Sequence, residues 1–142
     1  MVMRVANLSE AREGELAREK ASDPAVRDFG AAMVTEHSAA NSKAESELAN
    51  AYITSEDSSL SRQLDAESGT AADRLRSLTG RAFDRAYIDR QVEVHQSLLN
   101  LIDTRLGPSA HKTVLKNQLT EMRKTVEQHL TRARQVAAVL PR

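Results

Sequence analysis

Apolar residues recur at steps of three and four along most of this 142-residue chain, and this spacing limits the possible folds more than any other feature. Steps of three and four are the period of a buried helix face. Glycine (5) and proline (3), the residues that punctuate turn-rich folds, are scarce. The sequence therefore predicts an all-α protein.

Three interruptions divide the helical pattern. Asp23-Pro24 predicts the start of a helix with Asp23 as its cap, and Gly107-Pro108 predicts a stop followed by a new start. A stretch rich in Ser, Asp and Glu between 53 and 72 predicts a long connection, in which near-helical leucine spacing indicates a short helix. The predicted helices span 3–22, 25–52, 72–106 and 109–139, and the third is expected to bend or to begin near Gly80.

This pattern predicts a single domain, residues 1–142, folded as an antiparallel four-helix bundle. A long, partly helical connection joins helices two and three. Its predicted core includes these apolar residues: Met33, Leu98, Leu119, Met122 and Val126.

Composition and motifs exclude several classes of function. Lys+Arg (20) equals Asp+Glu (20), so no basic excess is present to neutralise nucleic-acid phosphates. Cysteine is absent, which excludes disulfides and thiolate chemistry. No apolar run is long enough to cross a membrane, and the N-terminus lacks the layout of a signal peptide. No nucleophile elbow or phosphate-binding loop is present, so we expect a protein that is not an enzyme.

Polar residues interrupt the apolar stripes at a few positions. Glu10 lies on the stripe of helix one, and His37 on that of helix two. His95 flanks the apolar face of helix three, one turn after Gln91. We assume a tight turn between helices one and two and a register for helix three across the long connection. Glu10, His37 and His95 then lie at the same height along the bundle axis. The sequence therefore predicts that these three side chains meet inside the bundle.

A second polar pair is predicted at another level. If the turn between helices three and four is centred on Gly107, His129 lies level with Arg85, beside Asp84. This predicts a buried Asp84–His129 hydrogen bond about 15 Å from the first layer, too far for the two layers to share one metal ion. His111, in the first turn of helix four, is predicted to lie on the surface.

Three interpretations of the Glu10–His37–His95 layer remain open. One is a hydrogen-bonded cluster that fixes the register of the helices. Another is a metal site completed by water, because imidazole and carboxylate ligands suit Zn²⁺, Mn²⁺ or Fe²⁺. In the third, the assumed register does not hold and the three side chains lie apart.

Two segments carry a resemblance to a known family. Residues 25–41, AVRDFGAAMVTEHSAAN, and 80–89, GRAFDRAYID, resemble the paired motifs of a ferritin-like bacterial family known as domain of unknown function 4142. The helix-one glutamate and the His129-Leu130 pair also match, whereas Lys124 stands where the family usually has proline. Members are often labelled predicted outer-membrane proteins. The resemblance implies a four-helix bundle, a periplasmic or otherwise extracytoplasmic location and no settled activity.

The Glu-x-x-His ligand pattern of ferritin-like di-iron enzymes is absent from the sequence. Two classes of function therefore remain. The first is a non-enzymatic helical bundle of the bacterial cell envelope that binds a partner or a small ligand. The second is a divalent-metal-binding ferritin-like protein that uses the Glu/His layer. The sequence identifies no partner, ligand or oligomeric state.

Overall fold

The computed structural model describes residues 1–141, and over that range it contains helices and no strand. The all-α prediction is confirmed, but five helices of 19 residues or more replace the predicted four. None of the helices in this range is long and apolar enough to traverse a bilayer. The helices are α1 (Val2–Lys20), α2 (Pro24–Asn50), α3 (Ser59–Ser77), α4 (Gly80–Leu101) and α5 (Thr113–Val139).

The additional helix, α3, occupies most of the predicted connection. Its start is fixed by a capping box, in which the Ser58 hydroxyl accepts from the Ser61 N–H at 3.0 Å and the Ser58 N–H donates to the Ser61 hydroxyl at 2.9 Å. Leu78 is extended, and Gly80 has a φ of 56°, in the left-handed region that glycine adopts without strain. The predicted start of the third helix at residue 72 is therefore wrong, because residues 72–77 belong to α3 and Leu78 and Thr79 separate it from α4. The alternative start near Gly80 is the one that the structure has.

The predicted stop at Gly107-Pro108 is also wrong. A π-helical turn, Ile102–Leu106, follows α4, and the Gly107 N–H donates to the Ile102 carbonyl. Gly107 is right-handed helical (φ −59°, ψ −53°) and begins a one-turn helix, Gly107–Ser109. Proline is tolerated there because the first turn of a helix needs no N–H from it. The chain leaves the helical conformation only at Ala110 (ψ 113°), before α5 begins at Thr113.

The chain divides into two compact units, Met1–Asp84 and Arg85–Arg142. In the first unit α2 runs antiparallel to α1, and α3 runs parallel to α1. The parallel arrangement follows from contacts that advance along both helices: Arg12 reaches Asp65 at 3.4 Å, and Lys20 donates to the Leu75 carbonyl at 3.2 Å. The prediction of a single domain remains a prediction.

Two glycines let the backbones of α1 and α2 touch. A Cβ added to Gly30 would lie 2.5 Å from the Ala17 Cβ and 2.9 Å from the Gly14 carbonyl oxygen. A Cβ added to Gly14 would lie 2.7 Å from the Gly30 carbonyl oxygen. Because real Cβ atoms do not approach backbone so closely, only glycine fits at both positions. The contact fixes the register of the hairpin.

In the second unit, the remainder of α4 and α5 form an antiparallel hairpin. The Arg134 guanidinium donates to Gln96 at 2.8 Å, whereas Arg123, earlier in α5, binds Asp103, later in α4, at 2.8 and 3.2 Å. Four of the five predicted core residues are buried in their respective units, namely Met33, Leu98, Leu119 and Val126. Met122 is half-buried, so the prediction that it lies in the core is wrong.

We expect Gly30→Ala to lower the free energy of unfolding by about 1–3 kcal/mol, because the added methyl group forces α1 and α2 apart. Gly69→Ala is the matched control: nothing lies within 4 Å of a Cβ at that position in α3. The control should gain about 0.5–1 kcal/mol, the helix-propensity difference between alanine and glycine. Urea denaturation of both variants measures the difference, and a Gly30→Ala variant as stable as the parent would contradict the close contact.

Candidate metal site

Two imidazoles face each other inside the second unit. His95 of α4 is 0% exposed and His129 of α5 is 1% exposed. The His95 Nε2 lies 3.3 Å from the His129 Nδ1, with ring centroids 5.3 Å apart and ring planes at 77°. Each histidine lies on the buried face of its helix. Two ring nitrogens therefore converge on one point in the hairpin.

The other nitrogen of His95 fixes the tautomer of the ring. The His95 Nδ1 lies 2.8 Å from the Gln91 carbonyl oxygen, one helical turn earlier. Because a carbonyl can only accept a hydrogen bond, Nδ1 carries the proton and donates. In the neutral ring Nε2 is then left with a lone pair directed at His129. This is the arrangement in which a metal-binding histidine is held by a backbone carbonyl.

Burial keeps the His95 ring neutral. The pKa of His95 is lowered from 6.5 to about 4, chiefly because burial removes solvation from the charged ring. The hydrogen bond to the Gln91 carbonyl raises the pKa, and the nearby His129 ring lowers it. The uncharged imidazole is the form that coordinates metals. His95 therefore meets the protonation requirement of a ligand throughout the neutral pH range.

The spacing of the two nitrogens suits a tetrahedral ion. The two nitrogens are 3.3 Å apart. If each lay at the usual Zn–N distance of about 2.05 Å, the N–Zn–N angle would be about 107°. An octahedral ion, with ligands at about 90°, would bring the nitrogens to about 2.9 Å. The arrangement can also hold an N–H···N hydrogen bond, with His129 as donor.

The two predicted layers separate His95 from His129 by about 15 Å, and that separation is wrong, because the two rings are in contact. The error lies in the turn, because centring it on Gly107 sets the register of α5 about ten residues from its true position. The helical conformation continues to Ser109, so the reversal falls later in the chain. Reading Gly107 and Pro108 as helix-compatible residues would have brought the two histidines level.

The first unit holds the other two predicted ligands. His37 is 3% exposed and Glu10 is 2% exposed, so both are buried. The His37 Nδ1 lies 3.0 Å from the Asn7 Oδ1 and donates to it, since an amide oxygen accepts. His37 is thus level with Asn7, one turn from the predicted Glu10 level, because the α1–α2 turn is centred near Ser22. The Glu10–His37–His95 cluster remains a prediction.

Asp84 closes the turn between α1 and α2. Its buried carboxylate accepts from the Ser22 N–H at 3.0 Å, from the Ser22 hydroxyl and from the Asp23 N–H at 2.9 Å. This role was not predicted, because the donors lie about 60 residues before Asp84 in the chain. The Asp84–His129 pair remains a prediction.

A further buried carboxylate escaped the sequence analysis. Glu13 is fully buried, and the Ser68 hydroxyl of α3 donates to its Oε1 at 3.1 Å. The sequence indicated a short helix in this stretch but not the helix against which it packs, so no partner for Glu13 could be named. His111 is exposed, as predicted.

These features define a class of protein: an all-helical chain with a pair of buried imidazoles. The chain belongs to the family described as Domain of unknown function (DUF4142), whose sequence profile matches residues 1–136. The resemblance seen in the sequence motifs is thereby confirmed. No curated protein and no solved structure matches the chain.

We expect Asp84→Ala to lower the free energy of unfolding by about 2–3 kcal/mol, because it removes a charged acceptor from two turn N–H groups. Asp89→Ala is the control, since Asp89 forms only an exposed ion pair with Arg85 at 3.2 Å and should cost less than about 1 kcal/mol. Urea denaturation provides the comparison. Equal losses in the two variants would argue against the role of Asp84 at the turn.

We expect metal-free protein to lose stability as the pH falls from about 6.5 to about 4, partly through His95. The pKa of His95 is lower in the folded protein than in the unfolded chain. As the pH falls, the unfolded chain is therefore protonated first, which stabilises it relative to the folded protein. A shift from 6.5 to about 4 corresponds to about 3 kcal/mol. Chemical denaturation across this range, in the presence of a chelator, should show a shallower pH dependence for His95→Gln. A His111→Gln control should keep the parent slope, and parent-like behaviour of His95→Gln would contradict the neutral buried ring.

Proposed function

We propose that this protein binds a divalent metal ion, Zn²⁺ foremost, between His95 and His129. The observation that carries the proposal is the 3.3 Å separation of two buried ring nitrogens, one of which bears a lone pair fixed by the Gln91 carbonyl. The protein acts by binding, not by catalysis, because the sequence carries no nucleophile or phosphate-binding motif. Metal binding was the second of the two classes left open by the sequence, and the imidazole pair favours it.

A second candidate function has its own support. His129 can donate directly to His95, in which case the pair is a hydrogen bond that fixes the register of a structural or partner-binding bundle. The separation of 3.3 Å allows such a hydrogen bond, and it is also the spacing expected for two ligands on a tetrahedral ion.

The proposal extends to the architecture and the location. We infer that the helices complete an antiparallel, ferritin-like four-helix bundle to which α3 is an addition. We also place the protein in the bacterial cell envelope, outside the cytoplasm. The family resemblance of residues 25–41 and 80–89 supports both, and the three–four spacing of apolar residues supports the bundle.

Glu10 and His37 are proposed as further ligands on the basis of the sequence alone. A site of two imidazoles leaves coordination positions to be filled. Either a third imidazole or a carboxylate would complete a three-ligand zinc set, His₃ or His₂Glu, with one position still open. Removing either side chain tests whether the ligand set extends to these residues.

The experiment is calorimetric titration of chelator-treated protein with Zn²⁺, Mn²⁺ and anaerobic Fe²⁺. We expect one tight site that prefers Zn²⁺ and weakens at least about 100-fold in His95→Gln and His129→Gln, since a zinc ligand is lost in each. His111→Gln, an exposed histidine in the same hairpin, should bind as the parent does. Loss of affinity in His37→Ala or Glu10→Gln would extend the site to the residues that the sequence predicts.

Circular dichroism of every variant confirms that the helices are intact. Absence of heat with all three ions, in folded parent protein, would overturn the metal proposal and favour the hydrogen-bonded pair. Equal affinities in His95→Gln, His129→Gln and the parent would show that a bound ion lies elsewhere.

A further inference from the structure

Gln91 carries a buried carboxamide that the described chain leaves without a partner. The residue is 0% exposed, and neither its Oε1 nor its Nε2 has a hydrogen-bond partner within residues 1–141. Burying an amide unpaired costs about 1–3 kcal/mol, and native interiors rarely tolerate it. A group from outside the chain is the natural partner for such a side chain.

Gln91 lies next to the imidazole pair. It precedes His95 by one helical turn on the same face of α4, and its own carbonyl holds the His95 ring at 2.8 Å. Because α4 and α5 are antiparallel and His95 is level with His129, Gln91 is level with Ala133. Ala133 is fully buried and small, so no long side chain of α5 opposes the carboxamide at this level.

Charge indicates what kind of group is missing. The buried polar residues among 85–141 are Gln91, His95, Gln118 and His129, and none of them can carry a negative charge. A divalent ion on two imidazoles would bring two positive charges into the interior, and these four residues supply no negative charge to offset them. A small anion bound to the ion would offset part of that charge.

We propose that the ion at His95 and His129 carries an exchangeable small anion with an oxygen or nitrogen donor, and that the Gln91 carboxamide donates a hydrogen bond to it. The inference rests on the proposed metal site and deepens it, because it assigns a ligand class to the open position. Hydroxide, small carboxylates and azide belong to this class. Gln91 is then a positioning residue for the anion and leaves the metal bound in its absence.

The test uses Co²⁺ in place of Zn²⁺, because its visible spectrum reports changes in coordination. Azide is titrated into the cobalt-loaded parent protein, Gln91→Met and the control Gln128→Met, an exposed position beside His129. We expect all three to bind one Co²⁺. The azide dissociation constant should rise about tenfold in Gln91→Met, which loses the hydrogen bond, and stay unchanged in Gln128→Met.

A second readout separates this role from a structural one. In metal-free protein, Gln91→Met should melt at the same temperature as the parent or higher, because an apolar side chain of similar shape replaces an unpaired amide. A lower melting temperature would show that the carboxamide has a partner within the protein and would overturn the inference.

The two proposals fail differently. If the parent protein takes up no Co²⁺, the metal site and the inference both fall. If Co²⁺ binds but azide leaves the spectrum unchanged, or binds equally to Gln91→Met and the parent, the inference falls and the metal site stands. A site whose charge is completed by a protein carboxylate such as Glu10 would give the unchanged spectrum.

Discussion

Direct contact between the backbones of α1 and α2 determines the arrangement of the first unit. Gly14 and Gly30 have no side chains to separate the helices, so each carbonyl lies against the other helix. The apolar residues that α1 buries are correspondingly small, such as Ala6 and Ala17. This contact sets the register that brings Asn7 to His37, and many short dispersion contacts replace a few large side chains. It also makes the hairpin intolerant of a single added methyl group.

The second unit depends on the position of its turn. The π-helical turn and the one-turn helix extend α4 by eight residues beyond Leu101, and this extension brings His129 to His95. Ion pairs such as Asp103–Arg123 lie on the surface, where they add little to stability. The buried imidazoles are different, because their hydrogen-bonding capacity must be met inside the protein. The residues of this turn therefore determine both the register of α4 against α5 and which polar side chains meet inside the hairpin.

The periodicity of the sequence predicts α1, α2 and the later part of α5 closely, and it predicts that Glu10, His37 and His95 are buried. A stripe of small and apolar residues indicates which face of a helix is buried, so these outcomes follow from local pattern alone. The stripe does not indicate which residues of two neighbouring helices lie side by side across a turn. That depends on where the chain reverses, and Gly107-Pro108 can be either a stop or the first turn of a helix.

The same limit explains why α3 is longer than predicted and why the partners of two buried carboxylates were missed. Residues 53–72 are polar enough to resemble a linker, yet a serine capping box and a few leucines suffice for α3 once it packs on α1. The partner of Glu13 lies on that helix, and the partners of Asp84 lie about 60 residues earlier in the chain. Contacts over such sequence separations are fixed by tertiary packing, which the propensity of a short segment does not encode.

The position of Asp84 has a consequence for dissecting the chain. Its carboxylate closes the α1–α2 turn, yet it lies in the second turn of α4, after the loop at Leu78 and Thr79. That loop is a natural site for proteolysis or for a designed truncation. A fragment that ends there would leave the Ser22 and Asp23 N–H groups without their acceptor. The smallest excisable piece that keeps this turn intact must therefore include the first residues of α4, so its boundary falls inside a helix.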